Sequence, residues 1–289
     1  MKINKKIKIL EFKLSKILNW WLFWAYKSNF SGNWMEFSEH REYIFWDHVK
    51  DIDWKASNKT NQMYVKKYEE ERDLNVLFVL DNSESMKFWS QDKTKKWLLE
   101  EVFYSLSLSA YYNNDNIWWI IYDWKDFNFI SNKKSKNNIY KILNLLEINN
   151  KLILDTYNTN KANNILKDLV KKWIKNNLIF ILTDNIFNID EKLLRLVSNK
   201  NELIFINIFD YFENNLTKLW WNISLNLWSR YLNIDLNNKN KVNKYVKIRE
   251  KEIREIKLIF EKNKVWYINL DTKSDIFKEL IWYFSKVNK

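Results

Sequence analysis

Leu77-Phe78-Val79-Leu80-Asp81-Asn82-Ser83-Glu84-Ser85-Met86 runs four apolar residues straight into a carboxylate and two hydroxyls. An all-apolar run of this length fits a strand buried on both faces of a parallel sheet. If the backbone stays extended past Leu80, a side-chain period of two sends Asp81, Ser83 and Ser85 one way and Glu84 the other. Hard oxygen donors at the carboxyl end of a central strand stand where open α/β sheets bind their ligands. Such donors suit Mg²⁺ far better than a soft metal. The stretch therefore reads as a metal-dependent adhesion site. Spacing alone is weak support, because Asp-Asn-Ser after a strand is often only a turn and a helix cap.

Working outward, strands and helices alternate from Asn75 onward, which points to a parallel sheet with crossover helices. Strands are expected near 76–80, 117–122, 127–130, 178–182, 203–208 and 265–270. Helices are expected near 93–112, 137–147, 161–175, 189–198, 240–263 and 275–287, with a hairpin over 220–236 turning near Trp228-Ser229. Upstream, Ile3, Ile7, Leu10, Leu14 and Leu18 fall at helical spacing among lysines, a basic amphipathic helix expected to dock on the protein's own core, with a membrane surface as the alternative. Residues 26–72 are charged and aromatic without helical periodicity, and read as strands and turns. The expected division is 1–72 as an N-terminal helix and strand/loop segment, 73–209 as the α/β domain, and 210–289 as a C-terminal hairpin-plus-helix extension.

Composition sets the bounds. The 289 residues are 46% hydrophobic, enough for a substantial core. With no cysteine, disulfide frameworks, zinc fingers and thiol catalysis are excluded, and His40 and His48 are too few for a histidine-rich metal centre. The apolar run Ile17 to Ala25 is about half of what a bilayer needs, so neither a signal peptide nor a membrane anchor is expected, and the expected location is cytoplasmic. A net charge of +12 would suit nucleic acid or an anionic surface, but the lysines are diffuse and read as a coding bias toward Lys, Asn and Ile. One Gly stands against 17 Trp, where ordinary usage would give about 7% Gly. Tight turns need residues tolerant of positive φ, which Trp is not. Many of these tryptophans are therefore expected to be glycines, encoded by UGA in a lineage that reads it as glycine.

Two stretches carry a family resemblance. One is Ser31-Gly32-Asn33-Trp34-Met35-Glu36-Phe37, continuing through Arg41-Glu42-Tyr43 and Trp46-Asp47 to Ile52-Asp53-Trp54. The other is Tyr64-Val65-Lys66-Lys67-Tyr68-Glu69-Glu70-Glu71-Arg72-Asp73, leading into Asp81-Asn82-Ser83-Glu84-Ser85-Met86-Lys87-Phe88-Trp89-Ser90. Together they resemble the bacterial domain-of-unknown-function 58 family, whose members carry a von Willebrand factor A-like domain. The likeness is strongest over 24–90 and weakens after about 210. Trp34, Trp46 and Trp89 stand where the family pattern has glycine, and Trp24, Trp118, Trp221 and Trp228 look the same. Trp54 matches a family tryptophan.

The resemblance implies an open, mainly parallel, Rossmann-like sheet flanked by helices. It also implies one metal site built by three segments: Asp81, Ser83 and Ser85; then Thr159, with Thr156 as its rival; then Asp184 after the strand 178–182. The serines and the threonine would bind Mg²⁺ (or another divalent cation such as Mn²⁺) directly, with one or both aspartates acting through water. A vacant position would accept a partner's carboxylate. The implied partners are a MoxR-type AAA+ ATPase and a client protein.

Enzymatic readings lack a catalytic group beyond the metal. A phosphatase with Asp81 as nucleophile would want an acid at the position of Ser83, and no serine-hydrolase elbow is present. The charged cluster Glu36, Glu39, Arg41, Glu42, Asp47, Asp51, Asp53, Glu69, Glu70, Glu71 and Arg72 offers paired carboxylates, but reads as ion pairs that fix a loop. The expectation is a non-enzymatic protein-interaction module. The alternatives are a basic nucleic-acid-binding protein and, behind it, a metal-dependent hydrolase.

Overall fold

The computed structural model describes residues 36–45, 47, 52–54, 57–58, 62–69, 74–87, 93–122, 127–130, 136–148, 161–184, 186, 188–214, 223–227, 230–234 and 239–287. The helix expected over 1–18 lies outside them. The chain divides into two compact units, Phe30–Asp73 and one that holds Leu74–Lys289.

In the smaller unit β1 (Glu36–Glu42) pairs antiparallel with β2 (Tyr64–Glu69), with an irregularity between Phe37 and Glu39. Ile52 bridges to Val65, and both side chains are buried. Asp47 pairs with Arg41 at 2.6 Å and accepts from the Ile44 N–H at 2.8 Å. One carboxylate of the charged cluster thus closes a turn.

The larger unit contains β3 (Asn75–Asp81), β4 (Asn116–Tyr122), β5 (Phe127–Ile130), β6 (Leu178–Thr183), β7 (Glu202–Phe209), the hairpin strands β8 (Ile223–Leu227) and β9 (Arg230–Ile234), and β10 (Trp266–Asp271). Six of these form one sheet in the order β10-β7-β6-β3-β4-β5. All neighbours are parallel except β5, which runs antiparallel to β4 at the edge. β10, from the segment expected as a C-terminal extension, forms the opposite edge against β7. This is the open, mainly parallel α/β sheet that the resemblance implied.

Helices α1 (Lys95–Tyr112), α2 (Lys136–Ile148), α3 (Lys161–Lys171), α4 (Glu191–Ser198), α5 (Lys239–Lys262) and α6 (Ile276–Val287) complete the unit. Leu77, Val79, Ile179, Ile181 and Phe205 pack on Ile165 and Leu169 of α3, Leu194 of α4 and Phe260 of α5. On the opposite face Phe78 stacks on Phe180 at 5.2 Å and meets Phe103 of α1 edge-on at 5.3 Å. The alternation along β3 therefore divides one apolar run between two cores. Truncating a buried Phe such as Phe78 to Ala costs about 3–5 kcal/mol.

Local chemistry sets the helix ends. Thr94 caps α1, its Oγ1 accepting from the Trp97 N–H at 2.9 Å. Helix α3 stops at Lys171, short of the expected 175, because Trp173 takes φ 53° and turns the chain.

Chain direction within the sheet places the site. From β3 the chain builds outward to β4 and β5, then returns to the other side of β3 for β6, β7 and β10. The crevice at the carboxyl ends of β3 and β6 is thus a topological switch point.

Candidate functional site

Asp81 is the last residue of β3 and is fully buried. The backbone does not stay extended beyond it. Ser83 lies in a bend, and Ser85 belongs to a 3-10 turn over Glu84–Lys87. The period-two argument for Asp81, Ser83 and Ser85 therefore fails, yet their side chains still converge. Asp81 Oδ1 accepts from the Ser83 N–H at 2.9 Å, and the Met86 N–H donates to the Ser83 carbonyl at 3.1 Å. Fully buried Met86 anchors the turn from below. Folded over in this way, the chain brings the Ser83 and Ser85 hydroxyls to 3.0 Å from each other.

The second wall comes from β6. Thr183 Oγ1 donates to Asp81 Oδ2 at 2.8 Å, tying the two strand ends together inside the protein. Asp184 follows directly and presents a carboxylate whose side chain is only 5% exposed. Asn163 of α3 holds the loop beyond it: its Nδ2 donates to the Asn188 carbonyl at 2.8 Å, and its Oδ1 accepts from the Asp190 N–H at 2.7 Å. Of the expected ligands, Asp81, Ser83, Ser85 and Asp184 are gathered at one place. Thr159 and its rival Thr156 lie outside the described residues.

Two lysines complete the site, and neither was expected there. Lys161, the first residue of α3, donates from Nζ to Ser83 Oγ at 2.6 Å and to Ser85 Oγ at 2.7 Å. The same ammonium lies 3.8 Å from Asp81 Oδ2 and 3.6 Å from Asp184 Oδ1. Lys95, the first residue of α1, bonds Asp184 Oδ2 at 2.9 Å and Glu213 Oε1 at 2.8 Å. Glu213 is delivered by the one-turn helix Tyr211–Asn214 after β7, which Asp210 opens by accepting from the Phe212 N–H at 3.0 Å.

The electrostatics are tightly balanced. Burial alone would raise the pKa of Asp184, but the Lys161 and Lys95 ammonium groups outweigh it and hold the carboxyl well below the usual carboxylate range. Burial likewise works against the charge on Lys95, and Asp184 with Glu213 reverses that, pushing its pKa above the ordinary lysine value. Three carboxylates face two ammonium groups, leaving the ensemble with one uncompensated negative charge.

The donor chemistry can be tested against a divalent ion. Mg²⁺ binds six oxygens at roughly 2.0–2.1 Å, so neighbouring oxygens of its octahedron lie about 2.9 Å apart. The serine hydroxyls, 3.0 Å apart, match that edge. Asp184 Oδ1 is buried and accepts no hydrogen bond. Asp81, Ser83, Ser85 and Asp184 would thus hold the ion, with Lys161 as the group that stands in its way. Among the described residues no three His, Cys, Asp or Glu side chains converge on one point. The site depends instead on hydroxyls.

Two solved structures are similar to this chain at a distance. BatB from Bacteroides thetaiotaomicron, a conserved hypothetical protein of known structure, is similar over 74% of this chain and 98% of its own, at 12% identity and a TM-score of 0.42. The SpRpn10 VWA domain is similar over 73% of this chain and 94% of its own, at 9% identity and a TM-score of 0.38. Likeness this remote assigns no role to any residue. No curated protein matches the chain. The family model for the proteins of unknown function DUF58 matches residues 39–246, which include the second half of β1, the Asp81–Ser85 turn, Lys161 and Asp184. This chain belongs to the DUF58 family.

Proposed function

We propose that this chain is a non-enzymatic protein-interaction module, acting in the cytoplasm, whose docking point is the carboxyl edge of β3 and β6. In this reading Asp81, Ser83, Ser85 and Asp184, with Thr159 beyond the described residues, hold Mg²⁺ or Mn²⁺. The ion supplies an electrophilic centre to which a partner's carboxylate binds. The observation that carries the reading is the pair of hydroxyls at 3.0 Å set between two buried carboxylates at the switch point. Neutral hydroxyls leave a divalent ion electrophilic, and two carboxylates balance its charge. Family resemblance supports a MoxR-type AAA+ ATPase as partner, with this chain presenting a client protein to it.

The test is a pull-down of such an ATPase by the full chain, with Mg²⁺ or with EDTA, alongside Asp81→Ala. Capture that disappears with EDTA and with Asp81→Ala supports the reading. Capture unchanged by both defeats the metal bridge.

A further inference from the structure

We propose that the Lys161 ammonium is a built-in competitor for the metal: it occupies the cation position of this site, and a divalent ion enters only when Lys161 leaves. The inference rests on the metal-site reading above and concerns how that site is controlled.

Lys161 is an unusual residue to find here. It opens α3, where the unpaired N–H groups of a helix disfavour positive charge. Its side chain is only 9% exposed. A cation in that place needs compensation, and the site supplies it: two hydroxyls at hydrogen-bond distance and two carboxylates within 4 Å. These are the same four groups that would hold the metal. An ammonium donates to the hydroxyl lone pairs that a metal would use, so Ser83 and Ser85 cannot serve both at once. Lys95 sharpens the arrangement. By holding Asp184 Oδ2 it leaves Oδ1 as the oxygen that faces Lys161. Exchange would also improve the charge balance. Replacing one ammonium by a divalent ion neutralises the three carboxylates, whereas adding the ion beside Lys161 would overshoot and set two cations against each other. Lys161 thus keeps the folded site intact without metal and sets the metal concentration at which it switches.

Calorimetric titration of the full chain with MnCl₂ tests this, comparing wild type with Lys161→Met and Lys161→Gln. The expected result is tighter Mn²⁺ binding by both variants, about tenfold or more, the scale on which a nearby charge moves an ionic equilibrium. In thermal melts, EDTA lowers the stability of Lys161→Met, and Mn²⁺ restores it by more than it adds to wild type. If Lys161→Met does not fold without metal, Lys161→Gln keeps a polar donor and carries the comparison. Binding of equal strength by wild type and both variants overturns the competition and leaves the metal site standing. No Mn²⁺ binding by any of the three overturns the metal-site reading and this inference with it.

Discussion

Lys95 donates to Asp184 at 2.9 Å from the first turn of α1, joining the helix after β3 to the strand end of β6 through a pair of side chains each 5% exposed. Removing one partner of such a pair strands a buried charge, which costs about 3–5 kcal/mol. Lys95→Met is expected to lose stability on that scale in urea unfolding, because Asp184 and Glu213 then face each other without the ammonium that bridges them. Lys95→Arg keeps the charge and should lose much less. A loss below about 1 kcal/mol for Lys95→Met would show that the pair behaves like a surface contact.

Thr183 holds the other carboxylate. Its hydroxyl donates to Asp81 Oδ2 at 2.8 Å in a fully buried position. Thr183→Val preserves shape and removes the donor, at an expected cost of about 1–3 kcal/mol, whereas Thr183→Ser retains the bond. If Asp81 orientation matters to the metal, Mn²⁺ affinity measured by calorimetry falls in Thr183→Val and survives in Thr183→Ser. Equal affinity in both variants would make the Thr183 bond purely structural.

Trp173 bears on the tryptophan excess. It sits at φ 53° just past the end of α3, and the Ile174 N–H reaches back to the Leu169 carbonyl at 3.4 Å. That is the left-handed position after a helix which glycine fills without cost. For a residue with a Cβ the penalty is roughly 1–2 kcal/mol. The residue is 78% exposed, and the Lys200 ammonium lies 4.9 Å from its ring centroid, an exposed cation–π contact of about 0.5–1 kcal/mol. The penalty outweighs the contact, so Trp173→Gly is expected to hold or slightly raise the melting temperature. We expect intact mass of the protein from its native host to fall short of the written sequence by whole tryptophan-to-glycine differences. A mass equal to the written sequence would remove the recoding idea. Trp118 makes no such demand, lying in extended β4 and packed against the core. Trp34, Trp46 and Trp89 lie outside the described residues.

The basic charge yields a separate expectation. Lys244, Lys247 and Lys251 are exposed along one face of α5. A nucleic-acid-binding protein would lose affinity steeply with salt as counterions are released. As an interaction module, the chain is expected to show only weak duplex binding in a fluorescence titration at physiological salt, equal in wild type and Asp81→Ala. Tight, steeply salt-dependent binding would favour the rival function.

The strands were legible because their apolar runs are unambiguous: β3, β6 and β7 are buried on both faces and carry no competing helical period. The site was legible in its residues but not in its geometry. Asp81, Ser83 and Ser85 meet through an Asp-capped turn and a 3-10 helix rather than along an extended strand, and only the partners of the Ser83 and Met86 N–H groups reveal that. The two lysines were missed for a different reason. Lys95 and Lys161 each look like ordinary helix-start residues in a lysine-rich chain. The available signal was electrostatic: both place a cation against a helix N-terminus, which asks for a carboxylate partner. Which carboxylate answers depends on crossovers of 89 residues for Lys95–Asp184 and 78 for Lys161–Ser83, and spacing along the sequence cannot supply that.

The most direct test of the central claim is a crystal structure of the full chain grown with MnCl₂, with anomalous scattering used to locate the manganese. The account predicts an anomalous peak between Ser83 Oγ and Ser85 Oγ, within reach of Asp81 and Asp184, with the Lys161 side chain turned out of the site. A map with Lys161 still bonded to both serines and no peak there, at a manganese concentration that saturates Lys161→Met, would contradict it.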